Sequence, residues 1–493
     1  MDRRETLKAF TALAGIAFAG QASARPIARQ ADRRPNIVLI VVDDLRWDEY
    51  GAGGHPYLKT PNIDRLAREG LSFSNVFHAT PLCSPNRASI LTGEYASKHG
   101  IYGNVDRTRL SFGLRTMTRH LHDAGYQTAH VGKWHMGDDP SPRPGYDFWA
   151  AFPGQGRIID PELWDGDGLK VFPGYVTDIL TDRALAFMEQ REPDRPFFLY
   201  FGHKAVHPDV IQRKDGSLDL ERGMTYIAAG RHEGRFAEDI FPRAPSAQGP
   251  IAQRPKSRMI SHLLALKDAP DVQRDLGEIM DPGTSEDSIR ARAEMLLSVD
   301  ESVGRVLAYL EASNTLDETV VVFTSDNGFF FGEHGLSIER RLPYEESIRM
   351  PVLVRYPSLA TAGGVATELG SSTDLAPTLL DLAGLTVPAH MQGKSMKAAL
   401  DGRSTAHGRS GVLTEYYAHD LPMPWALDAD YKSIRTERYK YIRWIQHEDF
   451  DELYDLVEDP FEMTNIIDQP DGRRIASDLR AQLRALVAES VSL

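Results

Sequence analysis

Short apolar runs alternate with stretches of helical periodicity along most of the chain. Residues 37–42 are all Ile, Val or Leu, which is typical of a strand buried on both faces. Three later runs have the same character: 128–131, 197–201 and 319–324. Between these runs, apolar residues at helical spacing predict the following helices: 60–70, 116–125, 178–191 and 287–312. Buried strands that alternate with helices predict an α/β domain with a largely parallel central sheet flanked by helices.

Two segments depart from this alternation. Residues 209–285 are rich in charge, Gly and Pro and have no clear strand period, so we predict a long insertion over one edge of the sheet within a main domain at 33–400. After residue 400 the pattern predicts short strands at 411–417, 431–436, 439–444 and 452–456, followed by a helix at 473–491. Residues 401–493 are therefore predicted to form a smaller C-terminal α+β module.

The first 24 residues have the features of an export signal. Arg3-Arg4 precede a modest apolar stretch at 9–20, and Ala22-Ser23-Ala24 forms a small-x-small cleavage pattern. The paired arginines resemble a twin-arginine signal for the Tat machinery, although Thr6 stands where that pattern usually has Phe. The apolar stretch is too short to span a bilayer. We therefore expect an exported protein, periplasmic or extracellular, without stable membrane insertion.

The net charge and the single cysteine exclude two features: nucleic acid as a general binding partner and an intrachain disulfide. The net charge of −14 argues against nucleic acid as a general partner, because nucleic acid favours basic faces. Cys83 is the only cysteine, so the chain forms no intrachain disulfide. Ser84 is predicted to cap a short helix that has Pro85 at its first position and ends before Gly93. The thiol is then expected beside a helix N-terminus, where free N–H groups favour anions.

Polar residues follow each of the four apolar runs. The first run is followed by Asp43-Asp44 and the fourth by Asp326-Asn327, while the other two lead to the basic residues Lys133, His135, His203, Lys204 and His207. In an open parallel sheet, ligands bind beyond the carboxyl ends of the strands. We therefore expect these side chains to face one crevice, together with Cys83.

The acidic residues predict a cation site. Asp43, Asp44, Asp326 and Asn327 offer only hard oxygen ligands, which suit calcium or magnesium. Either pair alone is better explained by a helix cap or a turn, but two pairs after separate buried strands favour a metal. Lys133 and His135 alternate about Trp134, so both can meet one anionic group. For His203 a structural role is as well supported as a functional one.

The run from Cys83 to Gly93, CSPNRASILTG, resembles the signature of the type I sulfatases, members of the alkaline-phosphatase-like superfamily. The resemblance covers nearly the whole chain after the signal, apart from 209–285. It implies a sulfuric ester hydrolase whose Cys83 is converted to Cα-formylglycine by a formylglycine-generating enzyme, and whose substrate is a sulfate ester. It also implies that residue 83 joins Asp43, Asp44, Asp326 and Asn327 as metal ligands.

The resemblance also implies catalytic roles for basic residues. Arg87 would stabilise residue 83, while Lys133, His135 and His207 would contact sulfate or move protons. The family usually places a lysine four residues before the Tyr-Glu motif at Tyr344, where this chain has Arg340. Because arginine binds anions but does not readily give up a proton, the role of leaving-group acid shifts toward His207.

Other functions remain open at this stage. The nearest alternative is a phosphonate or phosphate ester hydrolase of the same superfamily, with the same modified nucleophile. An unmodified cysteine phosphatase fits poorly, because Pro85 removes an amide donor from the loop that would hold phosphate. A non-catalytic calcium-dependent glycan-binding protein is a third. The substrate is expected to be a sulfated carbohydrate or an aryl sulfate, with Gly154-Gln155-Gly156 and the insertion at the entrance.

Overall fold

The run at 37–42 forms the centre of a large mixed sheet. Strand β1 spans Asn36–Val42 and is buried along its whole length. It pairs in parallel with the strands Phe197–Gly202 and Thr319–Ser325, which extend two of the other predicted runs by a residue. A strand enclosed on both faces has no solvent side, which is why its sequence is apolar without alternation.

The computed structural model describes residues 34–492 except 106, 215–217, 220–224, 249–256, 271–283, 337–339, 403–407 and 419–425. Its strands are β1 (Asn36–Val42), β2 (Leu71–Phe77), β3 (Gln127–Lys133), β4 (Phe148–Phe152), β5 (Glu162–Asp165), β6 (Gly168–Val171), β7 (Phe197–Gly202), β8 (Ile211–Gln212), β9 (Leu218–Asp219), β10 (Thr319–Ser325), β11 (Arg349–Arg355), β12 (Gly364–Ala366), β13 (Gly370–Ser371), β14 (Val412–Tyr416), β15 (Tyr431–Arg435), β16 (Tyr439–Trp444) and β17 (Glu452–Asp455). Its helices are α1 (Pro61–Glu69), α2 (Cys83–Thr92), α3 (Ala96–His99), α4 (Thr108–Gly113), α5 (Met117–Asp123), α6 (Val176–Gln190), α7 (Arg258–Lys267), α8 (Glu286–Ala312), α9 (Glu345–Ile348), α10 (Leu375–Leu382), α11 (Lys397–Leu400) and α12 (Pro470–Ser492). The predicted export signal at 1–24 lies outside the described residues.

The large sheet has the order β12-β2-β11-β10-β1-β7-β3-β4, with β13 also pairing with β2. The strands from β10 to β4 are mutually parallel, which confirms the prediction of a largely parallel sheet. Strand β11 runs antiparallel to both β10 and β2. Strands β2 and β11 are not among those predicted above, because Leu71–Phe77 mixes buried with half-buried positions and Pro351 interrupts the other.

Helices cover both faces of this sheet. Val38, Ile40 and Val42 of β1 pack into one apolar cluster, which includes residues of α6 and α8. The alternate residues Ile37, Leu39 and Val41 pack into a second cluster on the other face, which includes residues of α2, α5 and α10. Because successive side chains of a strand point to opposite faces, this division is what two helical layers require.

A second, antiparallel sheet follows in the order β14-β15-β16-β17, which confirms the smaller C-terminal α+β module. One face receives α12, through Ala476, Leu479 and Leu483. The other face packs against Met259, Ile260 and Leu263 of α7. The described part of the 209–285 segment therefore reaches the second sheet, and does not simply cover an edge of the first.

In the described ranges, the residues from Pro35 onward form one compact unit. Within the described ranges, no helix combines the length and the apolar character needed to cross a membrane.

Candidate active site

The carboxyl ends of β1 and β10 bring two acidic pairs together. Val42 and Ser325 are register partners at the ends of these parallel strands, so Asp43-Asp44 and Asp326-Asn327 emerge side by side. The Asp44 amide donates to Asp326 Oδ1 at 3.1 Å, and Asn327 Nδ2 donates to Asp44 Oδ1 at 2.7 Å. All four side chains are completely buried.

Two site residues have an uncommon backbone conformation. Asp44 and His135 adopt left-handed φ angles of 59° and 60°, a region that residues other than glycine seldom occupy. Such conformations cost about 1–3 kcal/mol and persist where surrounding contacts hold them in place. Both residues lie two positions past a strand end, Asp44 after β1 and His135 after β3, where the chain leaves the sheet.

Cys83 begins α2 and lies against the acidic pairs. Its Sγ is 3.6 Å from Asp43 Oδ1. The predicted cap is wrong: Leu82 is the N-cap, and Ser84 Oγ instead donates to the His135 carbonyl at 2.5 Å. Burial raises the pKa of the Cys83 thiol to about 12, although the charge of Lys133 acts in the opposite direction. An unmodified thiol at this position is therefore protonated and a poor nucleophile, unlike the low-pKa cysteine of a phosphatase.

Arg87 ties the two acidic pairs to strand β3. It is fully buried, and its Nε donates to Asp326 Oδ2 at 2.8 Å. Its Nη1 donates to the Lys133 carbonyl, also at 2.8 Å. Because these bonds join separate strand ends, Arg87 fixes their relative positions.

Basic side chains form the opposite wall of the crevice. Lys133 Nζ donates to Asp43 Oδ2 and, at 2.6 Å, to Gln155 Oε1. His135 Nε2 lies 3.0 Å from Gln212 Oε1, while its Nδ1 is buried without a hydrogen-bond partner among the described residues. Gln212 belongs to the irregular 209–285 segment, where no sequence pattern signals a site residue.

His207 and Arg340 complete this wall. Arg340 Nε lies 3.0 Å from Asp44 Oδ1, and its Nη2 lies 3.3 Å from His207 Nε2. Lys204 Nζ lies 3.1 Å from His207 Nδ1. Burial, with the charge of Lys204 next in importance, holds the pKa of His207 well below its usual value. Burial also lowers the pKa of Lys204, to about 8, with the charge of Lys133 acting in the same direction.

His203 is placed differently from the other predicted residues. Its ring centroid lies 4.3 Å from that of Phe201, and neither ring nitrogen has a hydrogen-bond partner among the described residues. Burial lowers its pKa to about 3, so the imidazole is neutral. These observations favour the structural role for His203.

The donor set fits a divalent cation. Asp44 Oδ2 and Asn327 Oδ1 are buried oxygens without hydrogen-bond partners in the described part of the chain. Ligand atoms of Asp43, Cys83 and Asp326 lie within 4.8 Å of one another. Buried polar atoms are rarely left unpaired, so these two oxygens, in the same buried cluster as Asp43, Cys83 and Asp326, fit a cationic partner.

The electrostatics of the two carboxylates support the same conclusion. Burial acts to raise the pKa of Asp43, but Lys133, His207 and Arg87 outweigh it and hold that pKa well below the usual range. Burial raises the pKa of Asp326. The positive charge of Arg87 acts to lower this pKa, and the negative charge of Asp43 acts to raise it further. A cation among these oxygens would stabilise both carboxylates in their charged form.

A cavity of about 480 Å³ adjoins the basic wall. Gln155 and Gln212, the partners of Lys133 and His135, line it together with the polar residues Asp138, Arg157, Asp160 and Glu162. Gly154 and Gly156 also line it, so the predicted entrance segment does border open space beside the crevice.

Comparison with known proteins identifies the family to which the chain belongs. The sulfatase family model matches residues 35–385, and the model for the N-sulphoglucosamine sulphohydrolase C-terminal region matches residues 332–489. An N-acetylglucosamine-6-O-sulfatase of Bacteroides thetaiotaomicron is 33% identical, over 92% of this chain and 87% of its own.

Solved structures agree with these matches. One determined in complex with its substrate, D-glucosamine-2-N,6-O-disulfate, has a TM-score of 0.77 and 31% identity, over 93% of this chain and 98% of its own. A phosphonate monoester hydrolase of Agrobacterium radiobacter, with a TM-score of 0.70 and 21% identity over 93% and 96% of the two chains, shares the fold.

Members of the sulfatase family hydrolyse sulfate esters through a formylglycine residue and a divalent metal. With a family model that spans most of its length and a relative that matches it nearly end to end, the chain belongs to the sulfatase family and is a sulfuric ester hydrolase.

Proposed function

We propose that this sulfatase removes sulfate from a sulfated amino sugar, with 6-O-sulfated N-acetylglucosamine as the best-supported substrate. The observation that carries this proposal is the 33% identity to an N-acetylglucosamine-6-O-sulfatase over 92% of the chain. The structural relative bound to a glucosamine disulfate, 31% identical over nearly its whole length, supports the same substrate class.

The chemistry of the adjoining cavity supports a carbohydrate. Carboxylates and side-chain amides, here those of Asp160, Glu162, Gln155 and Gln212, are the groups that hydrogen-bond sugar hydroxyls. An aryl sulfate would instead favour an apolar, aromatic-lined slot. Pro153, Val171, Val210 and Ile211 also line the cavity, but none of its described lining residues is aromatic, which favours a sugar over an aryl group.

We assign the cation site to calcium, held by Asp43, Asp44, Asp326, Asn327 and residue 83. An all-oxygen set with three carboxylates suits a hard cation, and a cage of five protein residues favours calcium, because magnesium usually keeps several waters and binds through one or two carboxylates. When bound there, the cation would supply Lewis-acid stabilisation of negative charge.

The basic residues are assigned roles from their positions. Formylglycine at position 83, in its hydrated form, would supply the hydroxyl that attacks sulfur, and Arg87 keeps Asp326 beside it as the proton acceptor. Lys133 and Arg340 would bind the sulfate oxygens, since each presents a cationic donor to the crevice, whereas His135, whose Nε2–H faces Gln212 Oε1, presents the acceptor Nδ1. His207, neutral in the free enzyme, would protonate the leaving alcohol once the negative charge of the bound sulfate raises its pKa, and His135 would take the proton of the second hydroxyl to release sulfate.

Maturation and export complete the proposal. A formylglycine-generating enzyme would convert Cys83, and residues 1–24 would direct the folded protein to the Tat machinery. The enzyme would then act in the periplasm or outside the cell, where sulfated glycans from the surroundings are accessible.

Initial rates of sulfate release test the substrate assignment. With enzyme whose formylglycine is verified by mass spectrometry, N-acetylglucosamine 6-sulfate should give the highest kcat/KM, above N-acetylgalactosamine 6-sulfate and an aryl sulfate. The two sugars differ only in the configuration of one hydroxyl, so their ratio reports recognition of the sugar itself. Faster hydrolysis of an aryl phosphonate than of any sulfate would favour the alternative hydrolase.

A further inference from the structure

Two histidines and an aspartate converge at a place remote in sequence from the catalytic residues. His262 Nε2 lies 2.8 Å from Asp428 Oδ2, and His447 Nε2 lies 2.7 Å from the same oxygen. The three ligand atoms lie within 4.8 Å of one another. We call these three residues the His-Asp-His cluster.

The cluster has an unmet bonding requirement. Both rings contact Asp428 Oδ2, while Asp428 Oδ1 is buried without a hydrogen-bond partner in the described part of the chain. If the rings served only to neutralise the carboxylate, one N–H for each oxygen would satisfy it better. The arrangement instead leaves the free lone pairs of Asp428 Oδ1 close to the Nε2 atoms of His262 and His447, where they can ligate a metal ion.

Packing fixes the orientation of both rings. The Phe450 ring stacks on His447 with the centroids 4.7 Å apart and an angle of 10° between the planes. The same Phe450 ring meets His262 edge-on at 5.8 Å, and the two imidazole centroids are 4.9 Å apart. The side chains remain open to solvent by 29% for His262, 34% for Asp428 and 23% for His447, which leaves a path for an ion.

We propose that the His-Asp-His cluster binds a divalent transition-metal ion, with zinc as the type. Imidazole and carboxylate ligands suit zinc, copper and nickel, and two ligands each about 2 Å from one ion lie about 3 Å apart. The two N···O separations, 2.8 and 2.7 Å, are hydrogen-bond lengths, so an ion would replace these bonds with a small outward movement of the ligand atoms. The oxygen-only set around Cys83 prefers harder cations, so the two sites would select different metals.

The ion would join parts of the chain that are far apart in sequence. His262 lies on α7, Asp428 precedes β15 and His447 follows β16. Helix α7 also packs, through its buried apolar face, in the same cluster as Leu82, the residue before Cys83. Metal binding would therefore fasten α7 to the second sheet, beside the segment that carries the nucleophile.

Zinc stoichiometry tests the site. The tag-free full chain is dialysed against zinc with calcium in large excess, which competes at the oxygen-only site, and retained zinc is measured by elemental analysis. Wild type is expected to retain one more zinc per chain than His262→Gln, Asp428→Asn or His447→Gln. Because all three side chains are partly exposed, these variants are expected to fold, and circular dichroism checks this.

His122→Gln is the matched control. His122 is also partly exposed and lies 3.2 Å from a single Asp147 oxygen, but no second imidazole joins it among the described residues. This variant should retain as much zinc as wild type. Equal zinc in wild type and in folded His-Asp-His variants would overturn the proposed site.

Hydrogen exchange tests the consequence for α7. Zinc should slow amide exchange in α7 of wild type and of His122→Gln, but not in His447→Gln. Zinc that binds at the cluster without changing exchange in α7 would overturn the fastening role.

Discussion

The environment of Cys83 explains why an unmodified thiol is unsuited to this site. Burial raises its pKa to about 12, so little thiolate exists at neutral pH, whereas a hydrated aldehyde provides an oxygen nucleophile and a second hydroxyl to expel sulfate. We predict that Cys83→Ala lowers kcat by about 10⁶-fold, the scale seen when the nucleophile of a catalytic unit is removed. Single-turnover measurements of sulfate release by wild type and by the variant compare the two rates. Substantial turnover by Cys83→Ala would contradict the assignment of residue 83 as the nucleophile.

Arg340 gives a second prediction at the residue scale. Its guanidinium contacts both Asp44 and His207, so we expect it to stabilise charge in the crevice without giving up a proton. Arg340→Met should lower kcat/KM by about 10²–10³-fold, the typical cost of one charge-stabilising donor. Arg340→Lys should recover most of that loss. It should also make kcat fall at alkaline pH, because lysine, unlike arginine, loses its proton in a pH range where activity can be measured. A wild-type rate for Arg340→Met would show that this position does not contact the reacting group.

At the scale of elements, burial decided what the sequence could predict. Strands β1, β3, β7 and β10 are enclosed on both faces, so their apolar runs were recognisable, and with them the polar strand ends that build the site. Strand β2 lacks a continuous apolar run. Its place in the sheet depends on pairing with β11, which is far away in the sequence. Gln212 meets His135 only through the folded path of an irregular segment, which no local pattern encodes.

The end of β3 provides a prediction at this scale. Gly132 has a φ of +103°, and a Cβ there would lie 1.9 Å from the Gly202 carbonyl oxygen of β7. Gly132→Ala should therefore lower the free energy of unfolding by several kcal/mol and displace Lys133. Gly125→Ala is the control, because Gly125 has a φ of +94° with no atom within 4 Å of the added Cβ, and conformational strain alone costs about 1–3 kcal/mol. Equal losses for the two variants in urea denaturation would refute the close approach of β3 and β7.

At the scale of the whole molecule, buried neutral histidines couple stability to pH. Burial lowers the pKa of His130 from 6.5 to about 3, within a cluster of aromatic rings. Because the unfolded chain takes up this proton near pH 6.5 and the folded chain does not, the stability it contributes is present above pH 6.5 and lost as pH falls toward 3.

His130→Phe isolates this contribution. Between pH 6.5 and about 3, the free energy of unfolding of the variant relative to wild type should rise by about 1.4 kcal/mol for each unit that pH falls. Urea denaturation at several pH values measures the difference, in which all other titrating groups cancel. A difference independent of pH would mean that His130 takes up its proton equally in the folded chain.

The central claim is that acidic residues from separate strand ends form a divalent-cation pocket around residue 83, and that sulfate ester hydrolysis depends on it. The most direct measurement is sulfate release from N-acetylglucosamine 6-sulfate by formylglycine-containing enzyme, before and after exhaustive chelation and after calcium is restored. We predict that release falls to background on chelation and returns with calcium. Undiminished release by thoroughly chelated enzyme would contradict the claim.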